Sequence, residues 1–176
     1  FNKYLEIYNG SDNDIDLSAY SLSSCSNGCN VIGEWDFPDN VTFTPGTILA
    51  AGDVYIVYHP DASVDSSIIV EGDQTHQFLS NGDDVYALTL AGATASNYTI
   101  IDIIGDMGAD PGSGWEVAGV ANGTQNHTLV RKEDVISGNT DWSAEAGTDS
   151  LSSEWLVYPI DEYVSVGEHE HYNPIY

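Results

Sequence analysis

The chain has 176 residues, of which 28 are acidic and only three are basic, and its formal net charge is −25. Lys3, Arg131 and Lys132 cannot form a basic groove. The composition therefore excludes direct binding of nucleic acid without a bridging metal ion, because phosphate backbones and anionic lipid surfaces are held by Lys and Arg. An acidic surface of this kind suits saline surroundings and attracts divalent cations.

The length fits one domain with a substantial core. Hydrophobic residues make up 41% of the chain and charged residues only 18%, so it is not a disordered acidic tail. No apolar stretch reaches 18 residues, which predicts no membrane span. The first residues already form a strand pattern rather than a signal peptide, and we expect a chain that is processed or cut from a larger one.

Short apolar segments alternate with turns rich in Gly, Asn, Asp and Ser. The strands predicted from them are, in chain order, 4–8, 15–22, 31–37, 41–43, 47–51, 54–58, 85–90, 99–104, 126–132 and 154–158. Segment 99–104 is nearly all apolar, which predicts a buried central strand. One short helix is predicted within 60–67, since Pro60 suits a first turn. The pattern predicts an all-β sandwich with Greek-key connections.

The two cysteines, Cys25 and Cys29, are separated by Ser-Asn-Gly. A three-residue hairpin loop with Gly28 in the left-handed conformation would bring the two Cβ atoms near disulfide distance. Such a bridge stabilises by about 2 kcal/mol and implies an oxidising, extracellular location. The alternative is a metal pair, but zinc requires four ligands and no other Cys or His lies nearby.

Several of these blocks resemble the lamin tail domain family in its bacterial secreted form. The segments LEIYNG and DLSAYSL, with Ala19 where the family usually has Gly, are the most specific, and further blocks lie at 49–57, 81–84 and 101–105. The resemblance spans roughly residues 3–158 and implies an immunoglobulin-like β-sandwich that is a non-catalytic module. In bacteria such modules are often attached to extracellular nucleases, phosphatases or adhesive surface proteins. We assign residues 1–160 to this sandwich and 161–176 to a C-terminal extension or linker.

One departure from the family concerns the first strand. Members usually carry another strand just before the segment that begins at Asn2, and this sequence begins too late to supply it. Either the sequence is a fragment or a neighbouring chain supplies the missing strand, because an unpaired sheet edge invites strand addition. Residues 164–166 and 172–176 are candidate donors for such an exchange.

Two groups of carboxylates are candidate calcium ligands, because Ca²⁺ prefers hard oxygen donors. Their members are Asp12, Asp14 and Asp16 in one group and Asp102, Asp106 and Asp110 in the other. The first group lacks the Gly and the distal Glu of an EF-hand loop, so a polar turn is the alternative. The second lies along a Gly/Asp loop, where Asp-Pro-Gly also simply makes turns.

Other chemistry-bearing residues give weaker signals. His169 and His171 would lie on one side of an extended segment and could bind a transition metal, although a polar linker is the alternative. Trp115, in a Gly-rich setting, is the best candidate for a ligand-facing aromatic, and the alternative is that it fills the core. We identify no nucleophile elbow, zinc-protease motif or phosphate-binding glycine loop, and we expect no catalytic residues.

The sequence thus supports three hypotheses. The first is a secreted or cell-surface binding or adhesive module, possibly stabilised by Ca²⁺, that works with other domains or subunits of a larger assembly. The second is a structural subunit of an extracellular filament that assembles by strand exchange. The third is the accessory domain of a secreted nuclease or phosphatase, with a metal-dependent enzyme as a more remote alternative.

Overall fold

The computed structural model describes residues 1–63 and 67–169. Within these residues the chain forms eleven strands, two short α-helices and one 3-10 turn. In chain order they are β1 (Tyr4–Tyr8), β2 (Ile15–Asp16), the 3-10 turn (Leu17–Ala19), β3 (Tyr20–Cys25), β4 (Phe37–Thr42), β5 (Ile48–Leu49), β6 (Val54–Tyr58), α1 (Ser67–Glu71), β7 (Gln74–Thr75), β8 (Val85–Leu90), β9 (Ile100–Ile104), β10 (His127–Arg131), α2 (Trp142–Ala146) and β11 (Trp155–Ile160).

The strands form two larger sheets and two strand pairs. The larger sheet is antiparallel, with the order β4-β3-β8-β9. The second sheet has the order β1-β6-β7, in which β1 and β6 are antiparallel and β6 and β7 are parallel. Strands β10 and β11 form an antiparallel hairpin-like pair, and β2 pairs with β5. No helix among the described residues is long and apolar enough to cross a membrane.

The two larger sheets pack face to face over a shared apolar core. Ile7 of β1 and Val57 of β6 belong to the same buried cluster as Leu22 of β3, Val41 of β4 and Tyr86 of β8. Because these side chains come from strands of both sheets, the facing sides of the two sheets share one core. The predicted all-β sandwich is therefore confirmed.

A second cluster lies on the opposite face of the large sheet, because Val85 and Ala87 of β8 belong to it whereas Tyr86 belongs to the first cluster. It joins Trp35 and Ile103 to Val117, Trp142 and Trp155, all of them nearly inaccessible to solvent. Residues from α2, β11 and the loop between β9 and β10 thus cover the face of the large sheet that points away from the β1-β6-β7 sheet. The described fold has two core halves, one on each face of the large sheet.

Three predicted strands, 4–8, 54–58 and 85–90, coincide with β1, β6 and β8. The strand predicted at 31–37 is wrong, because turns occupy residues 31–35 and the strand begins only at Phe37. Glu34 N–H donates to Val31 C=O in one of these turns. Pro38 is tolerated within β4 because β4 is an edge strand and Pro there removes no ladder hydrogen bond.

Three further expectations need correction. The strand predicted at 15–22 is interrupted by the 3-10 turn, which Asp16 caps by accepting the Ser18 N–H at 2.9 Å. The segment predicted as a central strand, 99–104, forms β9 at an edge of its sheet. Its outer side is covered instead by Asn139, whose C=O accepts the Ile103 N–H. Helix α1 begins at Ser67, later than the predicted 60–67, and residues 64–66 lie outside the described part.

Candidate functional site

A cavity of about 870 Å³ lies beside β1 and β10. Its walls include every residue of β1 and every residue of β10. Apolar side chains of β3, β8 and β9 also line it, among them Leu22, Tyr86, Leu88 and Ile103. We call this cavity the β1–β10 cleft. It lies where the two core halves meet and is open to solvent.

One wall of the cleft is the outer edge of β1. His59 N–H donates to Lys3 C=O and Asn9 N–H donates to Asp53 C=O, both at 2.9 Å. In an antiparallel pair the residues alternate between facing the partner strand and facing away. With Tyr4 opposite Tyr58, the N–H and C=O groups of Tyr4 and Glu6 therefore point away from β6. Among the described residues none hydrogen bonds to the backbone of Tyr4 or Glu6 on that side.

The other wall is the outer edge of β10. Lys132 N–H donates to Glu154 C=O at 2.8 Å, and Val130 lies opposite Leu156 in the same register. The same alternation turns the backbone groups of Leu129 and Arg131 away from β11. In the described part of the chain these groups also have no backbone partner. The outward backbone groups of Tyr4 and Glu6 on one wall, and of Leu129 and Arg131 on the other, therefore have no backbone partner among residues 1–63 and 67–169.

The charged groups along the cleft are mainly acidic. They include the carboxyl-bearing residues Glu6, Asp61, Asp84, Asp102, Asp161 and Glu168. The two cations of the lining already have partners: Lys3 Nζ donates to Leu79 C=O and to Asn81 Oδ1, and Arg131 is bound by carboxylates. The cleft therefore combines apolar lining residues with a negative charge.

Beneath the β10 wall, the Arg131 guanidinium is shared by three carboxylates. Its Nη2 lies 2.7 Å from Asp102 Oδ1, and its Nη1 lies 2.7 Å from Glu145 Oε2 and also donates to Glu154 Oε2. The guanidinium carbon lies 4.1 Å from the centre of the Trp155 ring, within cation–π range. These four residues, Asp102, Arg131, Glu145 and Glu154, form what we call the Arg131 cluster. It joins β9, β10, α2 and the residue that directly precedes β11.

Glu145 is the most buried member of the cluster, with a fully inaccessible side chain. Although Arg131 is close, neither oxygen of Glu145 has a partner with hydrogen-bond geometry. One guanidinium cannot neutralise three buried carboxylates. Burial, only partly offset by Arg131 and reinforced by Asp102 and Glu154, raises the pKa of Glu145 to about 9. Burial also raises the pKa of Asp102, against the effect of Arg131. The cluster therefore holds a proton on Glu145 at neutral pH.

Four of the six aspartates predicted to bind calcium accept a backbone N–H or pair with Arg131. Asp14 Oδ1 accepts the Ala51 N–H at 3.2 Å, and Asp110 Oδ1 accepts the Gly112 N–H at 2.7 Å. Asp102 belongs to the Arg131 cluster. Among residues 1–63 and 67–169 no three His, Cys, Asp or Glu side chains come together as a metal site. Calcium binding at Asp12, Asp14, Asp16 or at Asp102, Asp106, Asp110 stays a prediction.

The structure also places the predicted aromatic and histidine residues. Trp115 is half-buried and packs edge-to-face on Trp142, with 6.3 Å between ring centres, so it contacts the core, and its role as a ligand-facing aromatic stays a prediction. His169 packs on Tyr8 at 4.4 Å, and its predicted companion His171 lies outside the described residues. Of the candidate strand donors, 164–166 forms a turn region and 172–176 is not described.

The Cys25 and Cys29 sulfur atoms are bonded at 2.10 Å, with 4.8 Å between the Cα atoms. Gly28 has the expected left-handed conformation, with φ of +74°. The hairpin predicted around the bridge is wrong, however. Gly28 N–H donates to Asp83 C=O and Cys29 N–H to Gly108 C=O, so the loop packs on two other loops instead of returning along β3. A disulfide indicates an oxidising compartment.

Sequence reasoning missed the Arg131 cluster and the β10 wall of the cleft. A usable signal was present, since Arg131 is one of only three basic residues and lies in the apolar strand segment HTLVR. A cation at such a position needs anionic partners when the strand is buried. The sequence could not predict which carboxylates pair with Arg131, because Glu145 and Glu154 come close to it only through the packing of α2 and β11.

Comparison with known families gives one match. A family model described as Lamin Tail Domain matches residues 1–105. The searches of curated proteins and of solved structures found no match. The matched range ends directly after β9, so that β10, α2 and β11 lie beyond it.

Proposed function

Because this chain belongs to the lamin tail domain family, whose domain is a non-catalytic β-sandwich, we propose that it is a binding module of a secreted or cell-surface protein. In this role it targets or displays the rest of a larger assembly, and the β1–β10 cleft is its ligand site. The disulfide and the acidic surface support an extracellular, saline setting.

The observation that carries the proposal is the cleft itself. Its volume of about 870 Å³ falls within the roughly 300–1,000 Å³ typical of ligand pockets. The apolar side chains that β3, β8 and β9 contribute to its lining also match the usual composition of such pockets. An apolar recess of this size that stays accessible to solvent carries a free-energy cost which a bound ligand would relieve.

Binding at the cleft can be tested with Nile red, a neutral apolar dye that the acidic surface does not repel. We expect one dye site per chain. Leu5 lines the cleft and is half-buried, so Leu5→Gln should weaken dye binding by about tenfold, since a buried leucine contributes roughly 1.5–3 kcal/mol and 1.4 kcal/mol is tenfold.

The matched control is Leu151→Gln, because Leu151 is 92% exposed and does not line the cleft. Circular dichroism and urea unfolding establish that both variants are folded. Absence of saturable dye binding to the wild type, or equal loss in both variants, would contradict the cleft as a ligand site.

The alternative function, a filament subunit that assembles by strand exchange, is favoured by the same unpaired edge of β1. Charge opposes it, because each copy carries −25. Light scattering at low and high salt separates the two functions. A filament subunit would grow in mass as salt screens the repulsion, whereas we expect a monomer at both salt concentrations.

A further inference from the structure

Lys3 and Asn81 bring an amine and a carboxamide into direct contact. Lys3 Nζ donates to Asn81 Oδ1 at 2.6 Å and to Leu79 C=O at 3.0 Å. Since a C=O bond is about 1.2 Å long, adding it to 2.6 Å places Asn81 Cγ no more than about 3.8 Å from the amine nitrogen. Reacting atoms in a near-attack geometry are roughly 3–3.5 Å apart, so the nitrogen is already close to the carbonyl carbon.

The main chain on both sides of this contact is held in place. His59 N–H donates to Lys3 C=O at 2.9 Å, which fixes Lys3 against the residue that follows β6. Leu79 is buried in the core, and the Tyr86 hydroxyl donates to Phe78 C=O, so the loop between β7 and β8 is anchored as well. The fold therefore keeps the amine beside the amide, and a reaction between them gains the advantage of an intramolecular step.

Asp84 lies close enough to Lys3 to act on its charge. Ser80 Oγ accepts the N–H groups of Gly82 and Asp84, at 2.7 and 3.1 Å, in the turn that carries Asp84. Burial lowers the pKa of Lys3, although the negative charges of Asp84 and Asp83 oppose this effect. Burial also raises the pKa of Asp84. Both shifts favour the neutral amine and the neutral acid, which are the forms that an attack by nitrogen on an amide needs.

We propose that Lys3 and Asn81 form an intramolecular isopeptide bond, which ties the start of β1 to the loop before β8 and stabilises the fold. The Lys3 Nζ–Asn81 Cγ bond forms and the Asn81 Cγ–Nδ2 bond breaks. Two protons of the Lys3 ammonium move to Nδ2 with Asp84 as the carrier, and Nδ2 leaves as ammonium. Charge and atoms balance, and the step consumes no other reactant.

The test measures the mass of the full chain after overnight incubation at neutral pH and reduction of the disulfide. We expect a mass about 17 Da below that of the sequence, which corresponds to one ammonia. A proteolytic digest should contain a branched peptide in which Lys3 Nζ is joined to residue 81. An unchanged sequence mass overturns the bond. A gain of about 1 Da at Asn81 also overturns it, because water then takes the place of the amine.

Lys3→Arg is the decisive variant, because arginine keeps the positive charge and the donors but stays protonated and cannot attack. It should keep the full mass of its sequence. The matched control is Lys132→Arg, which should still lose one ammonia, because Lys132 Nζ donates to backbone C=O groups. If Lys3→Arg also loses one ammonia, the product is a succinimide at Asn81-Gly82 and the isopeptide bond is overturned.

Two further measurements test the proton carrier and the stabilisation. Asp84→Asn keeps an acceptor for the Asn27 N–H, which now lies 2.8 Å from Asp84 Oδ1, but it cannot carry a proton. It should form the bond at least about tenfold more slowly, and a wild-type rate overturns the role of Asp84. Because the bond closes 78 residues, Lys3→Arg should melt at least about 5 °C below Lys132→Arg. Equal melting midpoints overturn the stabilising role.

Discussion

The proton held by Glu145 makes the stability of the fold depend on pH in a direction unusual for a carboxylate. Burial next to Asp102 and Glu154 raises the pKa of Glu145 from its ordinary 4.5 to about 9. Between these values the folded chain binds one more proton than the unfolded chain. The free energy of unfolding therefore falls as pH rises through this window, by about 1.4 kcal/mol per pH unit. Between pH 6 and pH 8 the loss from this one group is ~3 kcal/mol.

Glu145→Gln tests this reasoning, because glutamine has the shape of the protonated acid and does not titrate. We expect the variant to be at least as stable as the wild type at pH 8 and to lack the decline between pH 6 and pH 8. Urea unfolding followed by tryptophan fluorescence measures both, since Trp155 lies against the cluster. The comparison is the difference in slope between the two proteins, because other groups titrate as well.

The control is Glu116→Gln, which removes an exposed carboxylate and should keep the wild-type slope. If Glu145→Gln and the wild type lose stability in parallel between pH 6 and pH 8, Glu145 is ionised in the folded chain. The same conclusion follows if Glu145→Gln is several kcal/mol less stable than the wild type at pH 6, where both side chains are expected to be neutral.

Two further predictions concern the disulfide loop and calcium. Gly28→Ala should lower the free energy of unfolding by about 1–3 kcal/mol more than Gly33→Ala. Both glycines have positive φ, but an added Cβ at Gly28 would lie 2.6 Å from Asp110 N, whereas at Gly33 it meets nothing within 4 Å. If urea unfolding gives the same loss of unfolding free energy for both variants, the loop around Gly28 rearranges to accommodate the added Cβ. If calcium binds the folded chain, a saturating concentration should raise the melting midpoint relative to EDTA, by the equivalent of about 2.7 kcal/mol at 100 times Kd. An unchanged midpoint in calorimetry removes the calcium prediction.

Strand periodicity was enough to predict the sandwich and the strands of its centre. Segments such as 54–58 and 85–90 are apolar, β-branched and bounded by turn residues, so local sequence and burial agree there. The segment 31–37 shows where such agreement fails. Its apolar residues are interrupted by Gly33, and the Gly33 N–H donates to Met107 C=O, a contact between distant loops that periodicity does not encode.

The cleft and the Arg131 cluster depend on long-range packing and could be predicted only in part. An unpaired neighbour of β1 was expected from the family resemblance, and β1 is an edge strand in the described structure. The edge position of β10 could not be predicted, because the sequence pattern of one strand does not determine which strands it pairs with. Helix α2 had a local signal in Asp141, whose side chain accepts the Ala144 N–H at its N-terminus, but five residues are too few for a helical periodicity.

The second core cluster has a practical consequence for anyone who trims this chain. Cys25, Trp35 and Ile103 lie before residue 105, whereas Val117, Trp142 and Trp155, which cover them, lie after it. A piece cut at the edge of the family match would expose half of a hydrophobic core and would leave Asp102 without Arg131. The part of the chain that matches the family model is therefore shorter than the part that must fold together.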